Sequence, residues 1–155
     1  MDKSASSNLK NLVEIFFKQI TELGSLTVIA VIIIFTYFLD AQLALKLFIG
    51  MLAATIISMI IKVLFFRPRP KKQKINTIID RLDASSFPSV HSARITILMF
   101  LLIAYSGNLI LRIFLAVIGL LVAYSRIYLK RHYYIDVIGG IILGVLISMA
   151  AYYLI

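Results

Sequence analysis

The chain has 155 residues, 61% of them hydrophobic, and a strongly positive mean hydropathy. A water-soluble domain of this length cannot bury that much apolar surface, so lipid is the solvent for most of it, and residues 1–155 read as one membrane-embedded domain. The net charge of +9 gathers in three clusters with no polar domain to carry them, which argues against nucleic-acid binding and for anionic headgroups or a phosphorylated substrate; the lack of cysteine excludes disulfides and thiolate metal sites.

Two histidines without a carboxylate cluster give no basis for a zinc or di-iron centre. No cleavable signal peptide is expected, because the first strongly apolar run, near Leu26, follows a helical pattern and precedes further apolar runs. Residues 8–22 carry that pattern. Leu9, Leu12, Val13, Phe16, Phe17 and Ile20 fall on one face, and Lys10, Asn11, Glu14 and Lys18 on the other, as in a helix lying in the membrane interface.

A first span is expected over 24–40 and a second over 41–66, joined so tightly at Asp40 that they form an antiparallel hairpin. Pro68 and Pro70 stop the second. Residues 71–88 are polar and open with Lys71, Lys72 and Lys74; Ile75, Ile78, Ile79 and Leu82 then repeat at helical spacing, which predicts a short interfacial helix or a solvated loop. A third span runs over 90–105, after Pro88, and Ser106-Gly107-Asn108 turns the chain into a fourth over 109–128 and a fifth over 134–155. The fold expected is all-α: a polytopic bundle of about five transmembrane helices with an amphipathic interfacial helix at its start.

Small residues recur at four-residue spacing in the last two spans: Gly119 and Ala123, then Gly140, Gly144 and Ser148. That spacing lets membrane helices approach closely. The series His132, Asp136, Gly140, Gly144 drifts by about 40° per step on a 3.6-residue helix, so it should face the bundle interior.

Five spans put the N-terminus, the 67–90 connection and the 126–134 connection on one face of the membrane. The turns near 40 and 107 and the C-terminus fall on the other. Most of the Lys and Arg lie on the first face, with Lys46 and Arg112 as exceptions, which by the positive-inside rule makes that face cytoplasmic.

Three blocks on that face carry chemistry. Lys62-x6-Arg69-Pro70 offers two cations at a helix exit; alone, such cations are also what snorkelling at a helix end looks like. Pro88-Ser89-Val90-His91, with Arg94 beyond, sets a hydroxyl, free amides and a histidine at a helix N-terminus, where anions bind; a lone histidine there is also an ordinary polar cap. Ser125-Arg126-x5-His132-x3-Asp136 places a carboxylate one turn from a histidine. It can accept a proton from one ring nitrogen and leave the other lone pair free, though structural His–Asp pairs share this spacing.

In this order the blocks resemble the three-part signature of the type 2 phosphatidic acid phosphatase superfamily, over about 62–144, and specifically its membrane lipid phosphate phosphatases, such as those acting on undecaprenyl diphosphate or phosphatidylglycerol phosphate. Two departures stand out: Val90 replaces the usual glycine, and one span fewer precedes the signature than in many bacterial members. The resemblance implies a phosphohistidine mechanism. His132 would be the nucleophile and Asp136 its orienter. His91 would be the general acid, then the base. Lys62, Arg69, Ser89, the Val90 backbone and Arg126 would hold the phosphate. It implies no metal and no cofactor, a lipid phosphate substrate (polyprenyl diphosphate, phosphatidylglycerol phosphate or phosphatidic acid), and a multi-pass protein of a prokaryotic cytoplasmic membrane. A phosphotransferase sharing the intermediate, and a non-enzymatic scaffold, are the other readings.

Overall fold

The computed structural model describes residues 3–71 and 77–155, with side chains from residue 7 onward except those of residues 78 and 79. Its elements are all helical: α1 (Lys3–Ile20), a 3-10 turn (Thr21–Gly24), α2 (Leu26–Leu39), α3 (Ala41–Leu64), α4 (Ile78–Ala84), α5 (Val90–Tyr105), α6 (Leu109–Tyr128) and α7 (Tyr134–Leu154). The helix starts have local causes. Ser25, Asp40, Ser89 and Asn108 each accept a backbone N–H of the following first turn on the side-chain oxygen, satisfying a donor that would otherwise be stranded in lipid. Thr77 and Asp80 form a reciprocal capping box on α4.

Helix α5 lies at the centre, packed against α3, α6 and α7. Its Ile95, Ile97, Leu98 and Leu101 are buried with Ile29, Leu47 and Val122 of the surrounding helices. The outer faces are the reverse of a soluble protein's: Phe38 is 79% exposed, Ile110 79% and Leu120 66%. Such a belt is stable only against hydrocarbon, and the protein is a membrane protein.

The small-residue series packs where expected. Gly140 abuts the backbone carbonyl of Ser89 so closely that a Cβ would collide with it, and a Cβ on Gly144 would stand 2.7 Å from the Ala93 carbonyl. The α5–α7 contact is therefore backbone on backbone. Gly140→Ala is expected to destabilise the protein by about 1–3 kcal/mol, the usual overpacking range. Gly107→Ala, with nothing within 4 Å of its Cβ position, should leave the detergent melting temperature unchanged. Equal melting temperatures for the two variants would contradict this packing.

The two ends of the bundle also sort as expected. At one end Lys46 donates to the Tyr152 carbonyl (3.3 Å) and lies over the rings of Tyr105 and Tyr152, while Arg112 donates to the Ser106 carbonyl (2.7 Å). These two exceptions to the charge asymmetry are thus held by carbonyls and aromatic faces. At the other end the 3-10 turn, the residues after α3 and the α6–α7 connection meet.

The five helices of the expected bundle are all present, and they differ in how fully length and composition mark each as a crossing. Among the described residues α3, α6 and α7 are long and apolar enough to cross alone; α1 with its 3-10 turn and α2, meeting at 51°, make a fourth if taken as one bent span. With 14 and 16 residues, α2 and α5 reach about 21 and 24 Å, short of the ~30 Å hydrocarbon layer. Helix α1 begins at Lys3, earlier than the apolar periodicity, and docks Phe17 on Tyr124 and Tyr128 of α6. Of the polar connection, Lys72, Lys74, Ile75 and Asn76 lie outside the described residues; the short helix expected there is α4.

Candidate active site

The chain after α3 is pinned to the segment that precedes α5. Ser86 donates its N–H (2.7 Å) and its hydroxyl (3.1 Å) to the Arg67 carbonyl, and Pro68 pairs with Ser85 in an antiparallel bridge. Arg69 is thereby placed beside the start of α5. The Ser86 carbonyl in turn accepts from His132 Nδ1 (2.9 Å), and the Ser89 N–H donates to the Asp136 carbonyl (2.9 Å). All three sequence blocks are joined through this one segment.

The connection from α6 to α7 turns back sharply. Lys130 adopts a positive φ of 53°, and the N–H groups of Arg131 (3.0 Å) and His132 (3.1 Å) both donate to the Arg126 carbonyl. Such an αL residue after a helix end redirects the chain and satisfies a terminal carbonyl. Here it buries the His132 ring, 4% exposed.

A carbonyl can only accept, so the bond to Ser86 fixes the proton on Nδ1 and leaves the Nε2 lone pair free. Asp136 Oδ2 lies 3.8 Å from Nδ1, accepts from the Tyr133 N–H (2.8 Å), and Oδ1 faces Arg67 at 3.3 Å. The nearest acceptor for the ring is thus Ser86, with the carboxylate behind it. Burial holds the His132 ring below the ordinary histidine range; Arg126 and Arg69 push the same way, and Asp136 opposes them.

Around His132 stand buried cations. Lys62 and Arg126 are 9% and 8% exposed, and Arg69 lies within electrostatic reach of Lys62, His91, Arg126 and His132. Arg126 donates to Thr21 Oγ1 (2.9 Å), yet among the described residues its Nε and that of Arg69 are buried without a partner. Burial also acts against the charge of Arg69, with Asp83 and Asp136 in its favour. Like charges held together out of water with idle donors call for an anion with several oxygens.

His91, one residue after Val90 at the start of α5, packs against the 3-10 turn: a Cβ on Gly24 would stand 3.3 Å from its ring. Val90 is half-buried, and its N–H and that of His91 are the first free amides of the helix. Ser89 is buried; its hydroxyl caps α5 and bonds the Ser92 hydroxyl at 2.9 Å. Sequence reasoning missed Thr21, Gly24, Arg67 and Ser86. Only the Ser85-Ser86 pair beside Pro88 hinted at a role, as a polar turn ahead of a helix.

The PAP2 superfamily model matches residues 43–155, well over half of the chain. The chain belongs to the PAP2 superfamily. A curated relative, undecaprenyl-diphosphatase BcrC of Bacillus subtilis, is 28% identical over 98 residues, 63% of this chain and 50% of the relative, so the chain spans about half the length of that protein. Among solved structures the fold is similar to that of Aquifex aeolicus LpxE, with a TM-score of 0.78, 25% identity, 91% of this chain and 86% of that one covered. A PAP2-type phosphatidylglycerolphosphate phosphatase from Bacillus subtilis shares the fold, with a TM-score of 0.74, 23% identity and coverage of 91% and 75%. PAP2 membership and the helical membrane fold therefore agree with the resemblance read from the three blocks.

Proposed function

We propose that the protein is a multi-pass phosphatase of the cell membrane that hydrolyses a phosphate or diphosphate ester of a lipid through a phosphohistidine. The observation that carries this reading is His132, buried with its proton fixed on Nδ1 by the Ser86 carbonyl (2.9 Å) and within electrostatic reach of Arg69 and Arg126. The Nε2 lone pair attacks the terminal phosphorus in line, and the bond from phosphorus to the leaving oxygen breaks. His91 gives that oxygen its proton. A water molecule, deprotonated by His91, then attacks the phosphorus; the P–N bond breaks and phosphate leaves.

Bond formation at Nε2 makes the imidazole ring cationic while Nδ1 keeps its proton. Asp136, 3.8 Å away, stabilises that charge, and the Ser86 carbonyl holds the ring plane. Lys62, Arg69 and Arg126, with the free amides of Val90 and His91, bind the phosphoryl oxygens, whose charge is redistributed in the transition state. Ser89 contributes through the cap that fixes those amides. The side chain of Val90 narrows the approach to them. The buried cations do the charge work of a metal, so no metal is required.

The test is phosphate release by the purified full-length chain in detergent, from a polyprenyl diphosphate, phosphatidylglycerol phosphate and phosphatidic acid. Release that is unchanged by EDTA is the expected result. Loss with EDTA and recovery with magnesium would overturn the metal-free reading, and transfer to a lipid alcohol in place of water would make the protein a transferase.

A further inference from the structure

Half-buried Arg94 adjoins the same cluster of cations, yet none of the roles above uses it. It follows His91 by three residues on α5, on the same face, about 4.5 Å further along the axis. One guanidinium nitrogen donates to Thr55 Oγ1 (3.0 Å), whose own proton goes to the Met51 carbonyl (2.8 Å), and among the described residues the arginine Nε is buried without a partner. Its charge is felt by both His91 and Lys62, while among the described residues no carboxylate acts on it. Ser58, on the face of α3 that carries Thr55 and Lys62, adds a buried hydroxyl that has no partner among the described residues.

Arg94 also lines a cavity of about 430 Å³ between α2 and α3, otherwise walled by apolar side chains and Thr55. Because the two helices are antiparallel, Leu26, Thr55 and Arg94 mark the end nearer His132, and Ile34 and Phe48 the far end. A hydrocarbon chain fits such walls. A guanidinium does not belong beside them unless an anion comes with the chain.

We propose that Arg94 binds the second phosphate of a lipid diphosphate, which makes the preferred substrate a polyprenyl-type diphosphate with its chain in the α2–α3 cavity. The inference rests on the phosphohistidine reading of the same site. When Nε2 of His132 takes the terminal phosphorus, the bond to the bridging oxygen breaks, and that oxygen stays with the lipid monophosphate and receives the proton of His91. The leaving group is then an anion whose charge grows in the transition state, and Arg94, one step beyond His91, faces it. A lipid monophosphate leaves as an alcohol and gives Arg94 nothing to hold. Discrimination therefore appears in kcat/KM.

The experiment compares farnesyl diphosphate with farnesyl monophosphate as substrates of the purified chain in detergent, for the unaltered protein, Arg94→Met, Arg94→Lys and Thr55→Val. The unaltered protein should favour the diphosphate. Arg94→Met should lower its kcat/KM about 100-fold and the diphosphate-to-monophosphate ratio at least tenfold, as expected for loss of a charge-assisted contact in the transition state. Arg94→Lys should restore part of that ratio, and Thr55→Val, which keeps the guanidinium but frees it, should lower it less. A ratio unchanged in all three variants, whether both activities fall or neither does, would overturn the role of Arg94 and leave the phosphatase reading intact. Phosphate release from neither farnesyl substrate nor phosphatidic acid by the unaltered protein would instead sink the phosphatase reading itself.

Discussion

His132→Ala is expected to abolish phosphate release, with a loss of about 10⁴-fold or more, the scale seen when a covalent nucleophile is removed. The fold should survive, because the backbone N–H of residue 132 still donates to the Arg126 carbonyl (3.1 Å) and the turn at Lys130 is unaffected. The unaltered protein, quenched in alkali during turnover of a labelled substrate, should yield phosphohistidine at position 132, and the alanine variant none. Activity close to normal in that variant would end the nucleophile assignment. The pH dependence gives a second handle. Only the neutral ring attacks, and burial holds its pKa below the ordinary histidine range, so the acid limb set by His132 should lie below the ordinary value of about 6.5. Asp136 raises that pKa, so Asp136→Asn should move the limb to still lower pH while slowing turnover. A limb that moved to higher pH would contradict this electrostatic account.

Why the His132–Asp136 pair was legible in the sequence while the acceptor of the ring proton was not follows from the range of the interactions. The pair His132 and Asp136 is one helical turn apart, a spacing that any reader of helices can see. Ser86, which holds Nδ1, is 46 residues away and reaches His132 only because α5 and α7 pack backbone to backbone at Gly140. Helix limits followed the same rule. Proline at 88 and the Ser106-Gly107-Asn108 turn set the starts of α5 and α6 where expected, since breakers and caps act locally. Span number was less legible, because α2 and α5, with 14 and 16 residues, fall short of the length that marks a crossing by itself. Thr21 escaped notice for a plainer reason: a threonine in a 3-10 turn gains its meaning only from the arginine, 105 positions later, that donates to it.

That arginine carries the last prediction. Arg126 serves the site in two separable ways: its carbonyl holds the amides of Arg131 and His132, and its guanidinium, donating to Thr21, faces Arg69 and His91. Arg126→Met keeps the first and removes the second. Loss of a positioned cation at a phosphoryl site should lower kcat/KM about 10³-fold. Stability should move the other way. The guanidinium is buried beside like charges with its Nε unpartnered, and replacing such a group with an apolar one of similar length is neutral or stabilising. The ligand-free variant should therefore melt in detergent at the same temperature as the unaltered protein or higher. Thr21→Val leaves the charge in place but frees its aim, so a smaller loss, about tenfold, is expected. Because Thr21 acts through Arg126, the two losses should not multiply: adding Thr21→Val to Arg126→Met should change little. Full multiplication, or a melting temperature that falls along with activity in Arg126→Met, would mean that Arg126 supports the fold rather than the phosphate.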